Sequence, residues 1–361
     1  MTTSLFSTYR LGDLRLKNRI VMAPMTRSRA VRNVPNDLMA TYYAQRTGAG
    51  LIVTEGVSPS PNGLGYARIP GLFNAEQVAG WKKVTAAVHA RSGRIFAQLM
   101  HTGRVSHPAN QPAGAEVVAP SAIAMNGTMF TDGQGMQPYP TPRAMTTADI
   151  AHATAEYAHA ARLAIEAGFD GIEVHGANGY LVDQFLNPAS NQRTDDYGGT
   201  PAARNRFALL VCQAIAAAIG ASRTGIRLSP YGAFNDLVPF PGLEEQYRAL
   251  AAELGELKLA YIHIVDHSSM GAPEVTRSVK EGIRDAFGGT IIVSGGMDRA
   301  KAEAALAEGL GQLVAFGRPF IANPDLVQRL ELGAPLAAPN PATFYTPGAT
   351  GYTDYPTLDA S

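Results

Sequence analysis

Hydrophobic positions in this chain gather into eight short runs, most of them apolar on both faces. They lie at Ile20–Ala23, Leu51–Glu55, Arg94–Leu99, Asp170–His175, Thr224–Ser229, Ala260–Val265, Thr290–Ser294 and Gln312–Phe316. A strand with one wet face alternates, whereas a run apolar throughout is covered on both sides, as in a parallel sheet wrapped by helices. Between the runs lie segments rich in Ala, Leu, Glu and Lys. The clearest covers 148–167, where Thr146-x-x-Asp149 reads as a capping box and Gly168 as the stop after the last turn. Eight β/α alternations predict an α/β protein, a closed (β/α)8 barrel more than an open doubly wound sheet.

Two stretches fall outside the alternation. Thr8–Lys17 carries Leu11-Gly12-Asp13-Leu14, a hairpin-like turn that would plug the barrel end opposite its carboxyl-terminal rim. Residues 101–145, in the longest gap between strands, are scattered with Gly and Pro and show no period. A long loop after a barrel strand belongs on the face that carries active sites, so this stretch predicts a capping excursion. A disordered linker is the alternative, weakened by apolar and aromatic residues that need burial. Residues 1–361 are therefore read as one barrel domain with the excursion inside it.

Polar residues where strands end are out of place in an apolar barrel interior, and this chain has many. The first strand runs into Pro24-Met25-Thr26, the second ends at Thr54-Glu55-Gly56, and the third carries Gln98. The fourth ends at His175 and the fifth carries Arg227. The last two run into Ser294-Gly295-Gly296 and Gly317-Arg318. Singly, each has a plain explanation: a satisfied core histidine, a buried Arg–Glu pair, a turn glycine. Together, at one rim, they point to a site. Barrels often bind phosphate after strands seven and eight, and two glycine turns with an arginine there suit a phosphorylated ligand. In His175-Gly176-Ala177-Asn178-Gly179-Tyr180, His175 and Asn178 can aim two N–H donors at one carbonyl oxygen, with Tyr180 close enough to act as a general acid. The alternative is a histidine that satisfies a turn and a tyrosine that packs as an aromatic.

Charge adds exclusions. Lys+Arg and Asp+Glu both number 30, so the formal net charge is zero, which argues against nucleic acid or another large polyanion as partner. The one cysteine, Cys212, excludes an internal disulfide framework and any Cys-ligated cluster or zinc, and it is expected to be buried and inert; no metal site is expected. The start, Met1-Thr2-Thr3-Ser4-Leu5-Phe6, lacks a basic and then apolar leader pattern, and no apolar stretch was expected to approach the ~20 residues that span a bilayer. The reading is a cytoplasmic protein without a membrane partner, a monomer or homodimer.

The run His175-Gly-Ala-Asn-Gly-Tyr-Leu-Val-Asp-Gln-Phe-Leu-Asn-Pro-Ala-Ser-Asn-Gln-Arg-Thr-Asp-Asp-Tyr-Gly-Gly199 resembles the signature stretch of Old Yellow Enzyme flavin reductases. Lys17-Asn-Arg-Ile-Val-Met-Ala-Pro-Met-Thr26, Phe96-Ala-Gln-Leu99, Phe316-Gly-Arg-Pro-Phe-Ile-Ala-Asn-Pro-Asp-Leu326 and Gly351-Tyr-Thr-Asp-Tyr-Pro356 match as well, in order along essentially the whole chain. The resemblance implies an NAD(P)H-dependent ene-reductase of the NADPH dehydrogenase type, with noncovalent FMN at the barrel mouth and NADPH or NADH as reductant. Its substrate would be a small electrophilic alkene: an α,β-unsaturated carbonyl, a maleimide or a nitroalkene. Pro24, Met25, Thr26 and Gly56 would line the flavin ring, Thr26 tuning its potential by a hydrogen bond. Gln98 and Arg227 would meet its pyrimidine edge. Ser294, Gly295, Gly296, Phe316, Gly317 and Arg318 would surround the phosphate. His175 and Asn178 would bind the substrate oxygen and Tyr180 protonate the α-carbon, with Tyr66, Met100 and Tyr345 as pocket walls.

Departures from the family pattern carry expectations of their own. Thr26 stands where another branch has cysteine, which places the chain with the classical branch. Met100 stands where many members carry tryptophan, so a wider and more pliable pocket is expected. Gly56 stands where alanine is common, and Thr128–Phe130 in the excursion matches poorly. A nitrate ester or nitroaromatic reductase on the same scaffold is one alternative. A flavin-free aldolase or isomerase with the same phosphate site is another; it would want a lysine or catalytic carboxylate at a strand end. Glu55 and Glu173 are read instead as partners of nearby donors.

Overall fold

A computed structural model describes residues 4–358; Met1–Thr3, where the stretch read for a leader begins, and 359–361 lie outside the described residues. The eight runs form eight parallel strands closed into a barrel: β1 (Ile20–Met22), β2 (Leu51–Val57), β3 (Ile95–Leu99), β4 (Gly171–Gly176), β5 (Thr224–Leu228), β6 (Tyr261–Val265), β7 (Thr290–Ser294) and β8 (Leu313–Phe316). Each pairs with its sequence neighbours and β8 closes onto β1, the (β/α)8 barrel expected from the alternation. The N-terminal hairpin, Tyr9–Leu11 with Leu14–Leu16, plugs one end. Leu11 and Leu16 are buried in one cluster with Val21, Phe96, Tyr261 and Ile292.

The interior is layered by the two-residue period of the strands. The bottom layer is apolar, and Phe96 and Tyr261 stack there with centroids 6.0 Å apart. Gly171 and Gly225 make room for these rings, since a Cβ at either position would sit 2.5 Å from Phe96 or Tyr261. One period further on, Gln98, Glu173, Arg227, His263 and Ser294 are all buried, a polar layer whose members must satisfy one another. Outward-facing residues of the same strands, such as Ile172, Val174, Ile262 and Val314, join the larger core beneath the helices. A register shift between Val53 and Gly56 in β2 brings Gly56 opposite Gln98 of β3 and re-aims the strand end towards the mouth.

The helix expected from 148 spans Thr147–Glu166 and begins with the anticipated box. Thr146 Oγ1 accepts from the Asp149 N–H, and Asp149 accepts from the Thr146 N–H. Gly168 follows at φ +92°. The sequence-based expectation of no long apolar segment needs correction. The helix Pro201–Ile219 is long and apolar enough to cross a membrane by length and composition. It lies against the barrel between β4 and β5, with Phe207, Ala208, Val211, Cys212 and Ile215 buried, so its apolarity is that of a core helix. Within residues 101–145 the chain forms a hairpin, Thr128–Thr131 with Gly135–Pro138, and a short parallel pair, Val118–Ala119 with Arg143–Ala144.

Candidate active site

At the carboxyl ends of the strands lies a cavity of about 1170 Å³. That exceeds the few hundred to about 1,000 Å³ usual for a single small ligand, and is room for a cofactor with a substrate above it. It is bounded by strand ends, by Met129 and Phe130 of the excursion hairpin, and by Phe344 and Tyr345 of a C-terminal strap. Every site residue expected from sequence lines it except Phe316. The Phe316 side chain points the other way, into the core between barrel and helices, because its strand position has the outward parity of Val314.

The floor is set by the polar layer. Glu173 accepts from Gln98 Nε2 at 2.8 Å and pairs with His263 Nδ1 at 2.9 Å, while His263 Nε2 meets Ser294 Oγ at 3.0 Å. Burial outweighs its glutamate neighbour and keeps His263 below its ordinary pKa, so it is neutral, donating from Nδ1 and accepting the serine proton at Nε2. Glu173, held below its usual pKa despite burial by His263, Arg227 and Gln98, is an ionised partner, not a base. The Ser294 hydroxyl is thereby engaged inside the barrel. Arg227 stands beside this layer with its Nε buried and without a hydrogen-bond partner. A desolvated cation with an unmet donor at a cavity wall calls for an acceptor from a ligand.

The anion end is glycine-built. Gly295 has φ +126°, and a Cβ there would lie 2.1 Å from the Asp266 carbonyl oxygen, so only glycine fits. Gly296 follows at φ +56°, and Arg318 lies across the same end of the cavity. These residues and Arg227 suit a phosphorylated, electron-rich ring system such as FMN: exposed backbone and a cation at one end, an unsatisfied guanidinium at the other.

Beside Arg227, with which His175 is in register on the neighbouring strand, the turn 175–180 is held in an unusual backbone state. Asn178 has φ +61° and Gly179 +75°. Asn178 N donates to Ser229 Oγ at 3.0 Å, Ser229 donates to Asp183, and Gly179 N donates to Asp183 at 2.9 Å. Burial pushes the Asp183 carboxyl up to about 6. His175 Nδ1 accepts from the Ala177 N–H at 3.3 Å, which leaves the ring proton on Nε2. Burial and then Arg227 hold its pKa well below the ordinary value, so the ring is a neutral donor. Tyr180 packs edge-on against it, centroids 4.8 Å apart, and burial raises its phenol to about 12. The Tyr66 hydroxyl lies 3.1 Å from the Tyr180 oxygen, within hydrogen-bonding reach. From the resemblance alone Tyr66 is a pocket wall; its contact with the Tyr180 hydroxyl comes only with the fold.

Met100 is buried, and its Sδ and Cε occupy the space above Gly56; a Cβ on Gly56 would lie 2.5 Å from both. The two departures read separately from the sequence are thus one packing unit. Tyr345 stands at the rim, 60 % exposed. The strap is fastened by buried arginines: Arg27 Nη2 donates to Gly351 O at 2.7 Å, and Arg29 donates to Phe344 O at 2.6 Å and Thr343 O at 2.8 Å. Arg46 reaches Tyr352 O at 3.4 Å while Tyr352 stacks on Tyr42 at 4.1 Å. The family-like stretch 351–356 supplies two of these carbonyls, but nothing in the sequence ties it to the three arginines. Among the described residues no lysine lines the cavity and no cluster of potential metal ligands occurs, and its carboxylate, Asp266, is paired with Lys280 at 2.9 Å.

Residues 4–337 match the family described as NADH:flavin oxidoreductase / NADH oxidase. A rice (Oryza sativa subsp. japonica) protein, 12-oxophytodienoate reductase 7, is 41 % identical, with 98 % of this chain and 94 % of that protein covered. A Leishmania infantum protein described as a probable flavin mononucleotide-dependent alkene reductase is 43 % identical over 96 % of this chain and 95 % of its own. Among solved structures, morphinone reductase superposes with a TM-score of 0.96 at 44 % identity, covering 99 % of this chain and 97 % of that one. Morphinone reductase has also been solved with tetrahydroNAD, at TM-score 0.94 and 45 % identity, covering 99 % and 98 %.

Proposed function

The chain belongs to the NADH:flavin oxidoreductase / NADH oxidase family, as its resemblance to Old Yellow Enzymes implied, and on that footing we propose that it is an FMN-dependent ene-reductase. It takes reducing equivalents from NAD(P)H and reduces the C=C bond of an electron-poor alkene. The observation that carries this reading is the grouping of two neutral N–H donors, His175 and Asn178, with a protonated Tyr180 on one wall of a cavity whose floor fits a flavin.

The chain's own residues have separable tasks. Gly295, Gly296 and Arg318 would hold the FMN phosphate. Arg227 and Gln98 would contact the ring's pyrimidine edge, where the fixed positive charge would favour the electron-rich reduced form. Pro24, Met25, Thr26 and Gly56 would lie along the ring. When bound, FMN supplies the hydride that the alkene accepts at its β-carbon. His175 Nε2–H and Asn178 Nδ2–H bind the carbonyl or nitro oxygen and stabilise the negative charge that builds there. Tyr180 gives its proton to the α-carbon, and Tyr66 donates to the oxygen left behind. NAD(P)H and alkene occupy the same wall in turn, so turnover is ping-pong.

The test is the visible spectrum of the purified protein, taken anaerobically with NADPH and then with 2-cyclohexenone. Flavin bands that bleach and recover are expected. With Tyr180→Phe, bleaching should persist while recovery slows by about two to four orders of magnitude, the usual worth of a general acid. A colourless protein that cannot be loaded with FMN, or a Tyr180→Phe variant that recovers at the wild-type rate, would overturn the assignment.

A further inference from the structure

Asn178 has four hydrogen-bonding groups, and the fold satisfies three of them. Its backbone N–H donates to Ser229 Oγ at 3.0 Å, and its backbone carbonyl accepts from Asn235 Nδ2 at 2.7 Å. Its side-chain Oδ1 lies 2.7 Å from His267 Nε2, and since an amide oxygen only accepts, that ring nitrogen carries the proton. The Nδ2 group alone remains for the cavity. A primary amide is nearly symmetric in shape, so nothing in its packing distinguishes the oxygen from the nitrogen. Turned by half a revolution, Asn178 would present a lone pair to the substrate oxygen, repelling the atom it is placed to bind.

We propose that His267 is a positioning residue for the reaction: its Nε2–H holds the Asn178 oxygen back and so commits the amide's N–H donors to the substrate oxygen. The loop after β6 is built for this. Ser268 N donates to Asp266 Oδ1 at 2.9 Å and Lys280 bonds the other carboxylate oxygen at 2.9 Å, fixing the loop. The His267 ring packs edge-on against Phe234 with centroids 4.5 Å apart. Burial and nearby Arg227 hold its pKa down to about 4, so the ring is neutral with one proton to place. The role rests on the reading of Asn178 as a substrate ligand.

A double-mutant cycle on the FMN-loaded enzyme tests it, with the second-order rate of flavin reoxidation by 2-cyclohexenone as readout. His267→Leu is expected to slow reoxidation by about tenfold, the scale of one hydrogen bond together with its misdirected partner. His267→Gln, whose amide nitrogen can stand where Nε2 does, should return the rate to within about threefold of wild type. In an Asn178→Ala background, His267→Leu should change the rate by less than about twofold, because a residue that acts only through Asn178 has nothing left to position. A His267→Leu enzyme as fast as wild type, a His267→Gln enzyme as slow as His267→Leu, or an undiminished effect in the Asn178→Ala background would each overturn the proposal. An Asn178→Ala enzyme as fast as wild type would overturn the reading of Asn178 itself, and the role of His267 with it.

Discussion

Gly56 and Met100 offer a sharp trial of how the pocket is walled. The perturbation is one methyl group, Gly56→Ala. Its Cβ would arrive 2.5 Å from both Sδ and Cε of Met100 and 3.1 Å from Met100 Cβ. Carbon atoms rest about 3.5–4.0 Å apart, so the methionine terminus must retreat by about 1 Å or more. Behind it, Leu64, Ile69, Val105 and Met129 are already packed, and the side left open is the cavity. Methionine bends at little cost, so the fold absorbs the methyl by pushing the thioether towards the substrate. Overpacking of this kind costs about 1–3 kcal/mol, which here falls on any substrate that needs the vacated space, a loss of about 5- to 150-fold in kcat/KM. The assay compares 2-cyclohexenone with a fused-ring enone, with FMN content checked in each preparation. The small enone should keep its kcat/KM within about threefold and the large one should fall by about thirtyfold, the middle of that range. Gly56→Ala combined with Met100→Ala should restore the large substrate. Equal losses for both substrates, or no recovery in the double variant, would refute Met100 as the wall that Gly56 supports.

The donor set should make the oxidative half-reaction insensitive to pH. His175, with its pKa held well below the ordinary histidine value, gains a proton only in acid, and Tyr180, raised to about 12, loses its proton only in strong base. Asp183, which holds the 175–180 turn and is pushed up to about 6, is ionised above that, so the reoxidation rate should be flat from about pH 7 to about 9, and a stopped-flow inflection inside that window would contradict this. Arg227→Leu should weaken FMN binding by about 10- to 150-fold, since it removes a buried charged donor that has no protein partner at Nε. Flavin fluorescence on dilution reads this directly, and an unchanged dissociation constant would remove Arg227 from the flavin site.

Much of this was legible because barrel strands write a strong pattern. Short apolar runs located all eight strands, with ends that differ from the structure by at most two residues. Residues such as Arg227 and His175 were legible as a site through their joint occurrence at one rim, since each alone has a plain structural explanation. Phe316 shows the limit of that logic: it too ends a strand, but its parity sends it outward with Val314. The hairpin at Thr128–Thr131 and Gly135–Pro138 escaped notice since its strands are short, half exposed and without a clear apolar face. His267 and the strap were illegible for another reason. His267 meets Asn178 across 89 residues, and Arg27 meets Phe344 across 317, through single hydrogen bonds that impose no period on the sequence.

The strap's fastening has an evolutionary corollary. Arg27, Arg29 and Arg46 grip it through main-chain carbonyls at Thr343, Phe344, Thr350, Gly351 and Tyr352, groups that every amino acid possesses. Phe344 and Tyr345, meanwhile, hang their side chains over the cavity. Substitution at those two places leaves the clasp intact, so catalyst and clientele can diverge independently. Selection can retailor the mouth for a new alkene by changing two side chains, without re-solving how the chain end is moored or disturbing the wall where the proton and charge are handled.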